Sequence, residues 1–410
     1  MSQSGKTTTE QSQSHPLPNN PFENRNRLSR SRFKKSIDPD QAVRETDNDA
    51  TMARLSAISK GYIKDRFSEL LVRTDESDYS RPPWVNIGTH HRTYLIDMLV
   101  ESFLINNSKI SNQPSSSSTT TTTTTSSSSC QPSVQVLSLG SGSDSRYWRL
   151  RDKFQSGWPV KIWIETDFLE NTQKKIRRIV NNPLLRSMCG DQIRLGTGAQ
   201  SENQRRGAEE ELTTDLYSTS YAMISSDLRQ PDRLIGKLRS NKLIDSNLPT
   251  LIIAELVFVY MLPQQTEDCL RKLSDEFGKD DGGDLMVITY EALNLGDNFS
   301  KVMTENLSSR GLTLLGFDNN STIESQIQRF KSLNFDQIVS QDMKKIRTIS
   351  DWNIDWRSEL ERIRRLEFLD EVEELELVLK HYCLTWALRS ERENKKGLMD
   401  HKFNFHLPYQ

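Results

Sequence analysis

The sequence is poor in apolar side chains, in cysteine and in net charge, and each shortage excludes something. Hydrophobic residues make up 34% of the 410 residues. The deficit is local: residues 1–50 and 106–133 are almost bare of them, and the remainder is ample for a full core. The longest apolar run, 251–262, is too short to cross a membrane and is broken by Glu255. No membrane partner is expected. With 54 Lys+Arg against 56 Asp+Glu the net charge is -2, so no global charge points to nucleic acid. The four cysteines, Cys130, Cys189, Cys269 and Cys383, stand far apart, without a C-x-x-C or a neighbouring histidine pair. A reducing compartment and no metal site are expected. The N-terminal stretch carries Glu10, Glu23, Asp38 and Asp40 and has no apolar core, which argues against a secretory or organellar signal. The expected location is cytoplasmic, with the nucleus also open to it, and the expected state is a monomer.

Residues 1–48 cannot bury enough surface to offset the entropy of ordering, so they are expected to form a disordered tail. A single domain is expected over 49–410, with two polar insertions. One, at 106–133, contains the unbroken Ser/Thr tract 115–129, which has nothing to pack. The other is 196–214, rich in Gln and Glu. Between them the elements alternate. Helices are predicted at 54–72 and 89–105, then strands at 135–139, 160–166, 221–227, 250–260 and 284–290, separated by helices at 145–154, 169–180, 232–238 and 266–277. Ile363, Leu366, Leu369, Val372, Leu375 and Leu379 recur at spacings of three and four, which marks an amphipathic helix leading to a late strand, 381–387. Such alternation predicts an α/β fold: a mostly parallel sheet with helices on both faces.

The most informative stretch is QVLSLGSGSDSRYWRL, residues 135–150. A β-branched and leucine run stops at Gly140 and Gly142, which let the backbone approach a ligand, and Asp144 is placed to cap the next helix. Three later strands carry an acid at or near their ends: Asp167, Asp227 and Glu255. In a parallel sheet such residues collect at the crevice where strand order reverses. The third glycine of a dinucleotide fingerprint would fall at 145, and Ser145 stands there. A pyrophosphate needs the full motif; a ligand with ribose and adenine but no phosphate, such as S-adenosylmethionine, needs only its first part. Asp167 is placed to accept both ribose hydroxyls, and Asp227 with Leu228 suits an adenine amine and ring. Glu255, inside LIIAELVFVYM, requires a cationic partner, either a ligand or an arginine. On composition alone Arg92 reads as a surface arginine, His90 and His91 as surface or capping residues, and Met286 and the tryptophans as packing.

These pieces resemble the leucine carboxyl methyltransferase family, whose members esterify the C-terminal leucine of the protein phosphatase 2A catalytic subunit. The resemblance is carried by SKGYIKD (59–65), NIGTHHRT (86–93), the glycine-loop stretch, IETDF (164–168), SDLR (226–229) and LPTLIIAELVFVYMLP (248–263). NLGDNFSKVMTENL (294–307), STIESQ (321–326) and RLEFLDEVEELELVLKHYCLTWA (365–387) extend it in the same order. It implies a Rossmann-like class I S-adenosylmethionine-dependent methyltransferase with extra N-terminal helices forming a lid. It further implies donor binding by Arg54, Arg92, Gly140, Asp167, Asp227, Leu228 and Glu255, and a place for Arg92 and Tyr260 at the reacting centre. Arg54 is a departure, since relatives carry lysine there, and a planar fork is not a point charge. Two other readings stay open: a related carboxyl methyltransferase of a hypermodified tRNA base, whose known members continue into a β-propeller, and a non-catalytic phosphatase-binding protein. A dinucleotide dehydrogenase lacks its third glycine.

Overall fold

The computed structural model describes residues 39–72, 79–110, 133–197, 213–278, 283–318, 322–349 and 353–390, all within one compact unit. Three helices come first, α1 (Pro39–Ser59), α2 (Ser68–Leu71) and α3 (Pro83–Ile110). The first half of the sheet follows as β1 (Val134–Leu139), α4 (Arg146–Phe154), β2 (Val160–Asp167), α5 (Leu169–Asn181), α6 (Pro183–Met188), β3 (Arg194–Thr197), β4 (Thr213–Tyr217) and β5 (Tyr221–Ser225). The second half runs α7 (Pro231–Ser240), β6 (Thr250–Glu255), α8 (Pro263–Phe277), β7 (Leu285–Ala292), α9 (Asn298–Ser309), α10 (Ile323–Lys331) and β8 (Gln337–Asp342). The last elements are α11 (Met343–Thr348), α12 (Ile354–Ile363), α13 (Val372–Lys380) and β9 (Tyr382–Arg389).

Among the described residues the strands form one sheet in the order β3-β4-β5-β2-β1-β6-β7-β9-β8. The central five pair in parallel, and antiparallel pairs close both edges. Successive residues of a strand point to opposite faces of the sheet, and here both faces are buried. Val136, Leu251, Ile253, Met286 and Ile288 join the core beneath α3 and α4; Leu137, Leu139, Ile252, Ala254 and Val287 join the one beneath α7 and α8. That explains why these strands read as continuous apolar runs rather than as alternating ones. Strand order reverses at β1, which lies between β2 and β6, so their carboxyl ends open onto one crevice.

Several expectations need correcting. The expected disordered tail to residue 48 stops earlier, because α1 begins at Pro39; it is a polar helix held by tertiary contact, with Ala42 and Leu55 buried, and has little periodicity to detect. The predicted helix 54–72 is broken after Ser59, where Gly61 takes φ +80 and Tyr62 N donates to Ala57 O, a left-handed helix stop. The helix at 89–105 extends in both directions to Pro83 and Ile110. The strands predicted at 221–227 and 250–260 end at Ser225 and Glu255. The periodic run 363–379 is two helices, α12 and α13, joined by a turn whose Leu366 and Leu369 also pack on the core. The ends of the second polar insertion pair as β3 and β4, and β8 was not foreseen. The Ser/Thr tract lies outside the described residues.

Candidate active site

Beyond Leu139 the backbone enters the left-handed region at Gly140 (φ +58) and again at Gly142 (φ +46). A Cβ on Gly140 would lie 2.7 Å from Val257 Cγ2, and one on Gly142 would overlap the Asp47 carboxylate, so glycine is required twice over. Asp167, the last residue of β2, grips this loop: its Oδ2 accepts from Gly142 N (2.8 Å), and its Oδ1 from Phe168 N (2.7 Å) and Asn171 Nδ2 (3.0 Å). Burial pushes its carboxyl up to about 6, with Asp47 adding to the rise, and those three donors only partly oppose it. Asp47, from α1, accepts from Ser143 N (2.7 Å) and Ser143 Oγ (2.6 Å).

Glu255, the last residue of β6, is held in a different way. Its Oε2 accepts from Arg92 Nε at 2.7 Å and its Oε1 from Arg146 Nη1 at 2.6 Å. Arg146, 1% exposed, also donates to Asp97 (2.7 Å) and Asp144 (2.6 Å). Burial pushes the Glu255 carboxyl up, but Arg146 and Arg92 outweigh it and hold the group below its ordinary value. The expected need for a cationic partner is therefore met by two arginines of the protein. Arg54, on α1, donates to Ser143 O (3.2 Å) and stands 3.8 Å from Asp144. Asp144, expected to cap α4, stands one residue before the N-cap Ser145 and accepts from Arg146 N (3.0 Å).

Arg54, Arg92, Gly140, Asp167, Asp227, Leu228, Glu255 and Tyr260 all line one cavity of about 180 Å³. The structure thus brings together every residue expected to bind the donor or to stand at the reacting centre. Asp227 sits on the loop after β5, accepting from Arg229 N (2.9 Å) and from the Arg229 side chain, which also reaches Asp40 on α1 (2.8 Å). α1 closes the cavity from one side, with Asp40, Val43, Thr46, Asp47, Ala50 and Arg54 in its wall. Burial raises the Tyr260 phenol to about 12, so the hydroxyl keeps its proton and can donate.

Arg92 is no loose surface arginine, and His90 and His91, expected at the surface, are buried. Arg347 Nη1 lies 2.7 Å from His91 Nε2. Arginine can only donate, so His91 carries its proton on Nδ1 and passes it towards His90 Nδ1 (3.1 Å), and His90 Nε2 donates to Glu359 Oε1 (2.7 Å). This chain fixes α3 against α11 and α12, next to Arg92. Sequence reading missed Arg146, Asp97 and Asp47. A signal existed for Arg146: a cation in the first turn of a helix opposes the helix dipole and needs anions around it. Asp47 had none, since α1 itself was not foreseen at that point.

Chemically, the cavity offers a carboxylate for neutral hydroxyls at Asp167, bare backbone at Gly140, and two guanidinium groups, Arg54 and Arg92, for an anionic end. The family model for leucine carboxyl methyltransferase matches residues 42–274. The chain is 33% identical to leucine carboxyl methyltransferase 1 of Cryptococcus neoformans over 86% of its length and 94% of that protein. It is 32% identical to leucine carboxyl methyltransferase 1 of Bos taurus, covering 86% of this chain and 92% of that one. Among solved structures, phosphoethanolamine N-methyltransferase 2 of Haemonchus contortus is similar with a TM-score of 0.32 and 10% identity, over 63% of this chain and 48% of the other. The chain belongs to the leucine carboxyl methyltransferase family.

Proposed function

We propose that the protein transfers a methyl group from S-adenosylmethionine to the α-carboxylate of the C-terminal leucine of the protein phosphatase 2A catalytic subunit. The observation that carries this reading is the meeting, in one cavity, of Asp167 and the bare Gly140 loop with the Arg92–Glu255 pair and Tyr260. When bound, the donor supplies a methyl group on a sulfonium: an O–CH3 bond forms as the S–CH3 bond breaks, its electron pair stays on sulfur, and a neutral ester and a neutral thioether result.

In this reading Asp167 accepts the ribose hydroxyls, and Asp227 and Leu228 hold the adenine. Arg54 and Arg92 face the amino-acid end of the donor, beside Glu255. The acceptor is a terminal carboxylate with an ordinary pKa of about 3.5, ionised at neutral pH, so no general base is required. The protein's work is orientation, which in favourable cases supplies on the order of 7 kcal/mol. Tyr260, protonated, donates to the acceptor, and Arg92 holds it electrostatically. A guanidinium that gripped the carboxylate fully would stabilise the ground state; Glu255 already claims part of the charge of Arg92 and so moderates that grip. Charge is lost on the way to the ester, so a dry pocket favours reaction.

The test is incubation of labelled donor with the intact phosphatase subunit, the subunit lacking its last leucine, and the isolated tail peptide, then base treatment to release methanol from an ester. Label on the intact subunit that is released by base is expected. Equal labelling of the truncated subunit overturns the reading. The peptide is expected to be far the poorer substrate, since a flexible tail buries little area and loses entropy on ordering.

A further inference from the structure

One buried acid takes no part in the network around Glu255. Glu291, on β7, is 1% exposed, and its Oε1 accepts from Phe258 N at 3.3 Å. The backbone groups of Val257 and Val259 also bond to it. The charge that faces it is that of Arg329, on α10. That guanidinium lies 5.9 Å from the centre of the Phe258 ring, and its Nη1 and Nη2 have no hydrogen-bond acceptor among the described residues. A buried carboxylate without a close ion pair is costly, so its place calls for a purpose beyond packing.

Its partners belong to the short turn after β6. This turn begins at Leu256, a non-glycine residue at φ +54, whose N donates to Tyr290 O (2.8 Å). Left-handed geometry is unfavourable for a leucine and persists only where the surroundings impose it. From there Val257 packs over Gly140, and Tyr260 N donates to Val257 O (3.2 Å) as the tyrosine enters the cavity. We propose that Glu291 is a positioning residue for methyl transfer: its carboxylate gathers the turn's amides and so fixes the Tyr260 hydroxyl against the acceptor. The proposal rests on the carboxyl methyl-transfer reading above, and ester formation by the unmodified protein in the same assay separates a failure of that reading from a failure of this one.

Glu291→Gln keeps the shape and one acceptor oxygen but loses the charge and puts an N–H where the second oxygen stood, whereas Glu291→Asp keeps the carboxylate and loses a methylene. If the carboxylate positions the turn, kcat falls on the order of tenfold to a hundredfold in Glu291→Gln, donor affinity by calorimetry stays within about threefold, and Glu291→Asp retains more activity than Glu291→Gln. A residue that only fills space gives the opposite ranking. Unchanged kcat in Glu291→Gln, or kcat and donor affinity falling in proportion, overturns the proposal.

Arg329→Met is the second variant, and it decides the matter if Glu291→Gln does not fold. Burial already raises the Glu291 carboxyl to about 7, with Arg329 opposing the rise. Removing that cation raises it further, so the climb of kcat with pH should be displaced upward from that of the unmodified protein, low at pH 7 and recovering towards pH 9. The other groups facing Glu291, Cys383 on β9 and Tyr260 on the turn, are both held at about 12 and do not titrate in that range. A flat profile, or one that coincides with that of the unmodified protein, overturns the proposal.

Discussion

Asp167 and Glu255 close two strands that flank the same β1, yet their partners leave the two carboxyls shifted in opposite directions. Asp167 is held by two backbone amides and a side-chain amide, and its carboxyl rises to about 6. Glu255 is held by two guanidinium groups, and its carboxyl stays below the usual value. The difference teaches that dipoles offset desolvation only in part, whereas full charges at 2.6–2.7 Å more than offset it. Among the described residues the Asp167 carboxyl thus meets only neutral donors, whereas Glu255 is paired with Arg92 and Arg146.

The harshest way to break this comparison is to remove the cation at the Glu255 end. Arg146→Ala would leave Glu255, Asp144 and Asp97 short of their shared partner, and should destabilise the fold by about 3–5 kcal/mol, as expected for a broken buried ion pair. Urea titration measures it, and a loss under about 1 kcal/mol would put the network among weak surface pairs. The effect of Asp167→Ala is smaller and falls on ligand rather than fold. Donor affinity should drop by about 1.5–3 kcal/mol, the worth of charge-assisted hydrogen bonds, and calorimetry that finds no change on a folded variant would take Asp167 out of the site.

The pH dependence sharpens the contrast further. A folded pKa raised above the unfolded one means that Asp167 favours the fold most below about 4, and that this contribution is lost as pH rises through about 6. If Asp167 takes the ribose hydroxyls as proposed, they bind its ionised form, and donor affinity should increase from pH 5 to pH 7 by about tenfold and level off above. Asp167→Asn should flatten that profile. Glu255, with its lowered pKa, should add no step in this window, since its contribution is lost only as pH falls through its depressed value. The smallest effect is expected from deleting residues 115–129, which should alter neither donor affinity nor turnover. Loop length enters stability at about 0.6 kcal/mol per doubling, so a large fall in melting temperature would show that the tract is packed.

Much of the parallel centre was legible because a strand buried on both faces leaves a continuous apolar run, and because an acid at its end has few uses other than a site. Asp167 and Glu255, which end β2 and β6, and Asp227, two residues past β5, are read in that way and line one cavity. Legibility failed where tertiary contact overrides local pattern. The run LVFVY after Glu255 reads as more strand, but Leu256 turns left-handed and the chain folds back into a 3-10 turn at Phe258–Tyr260. Ile363, Leu366, Leu369, Leu375 and Leu379 keep a helical spacing across a break because all pack on one core, while Val372 of the same series is exposed. Polar α1 carries no stripe at all and is visible only through what it covers. Arg92 and Tyr260 could be placed by family resemblance but not by pattern, because nothing local distinguishes a surface arginine from one whose partner lies 163 positions away.

The chain leaves α3 at Ile110 and re-enters the sheet at Val134, the end of β1 remote from Gly140. At about 3.3 Å per residue, the strand puts some 17 Å between that entry and the glycine loop. A fluorophore or affinity handle placed at Ser133, beside that entry, would therefore stand a full strand length from the ligand crevice.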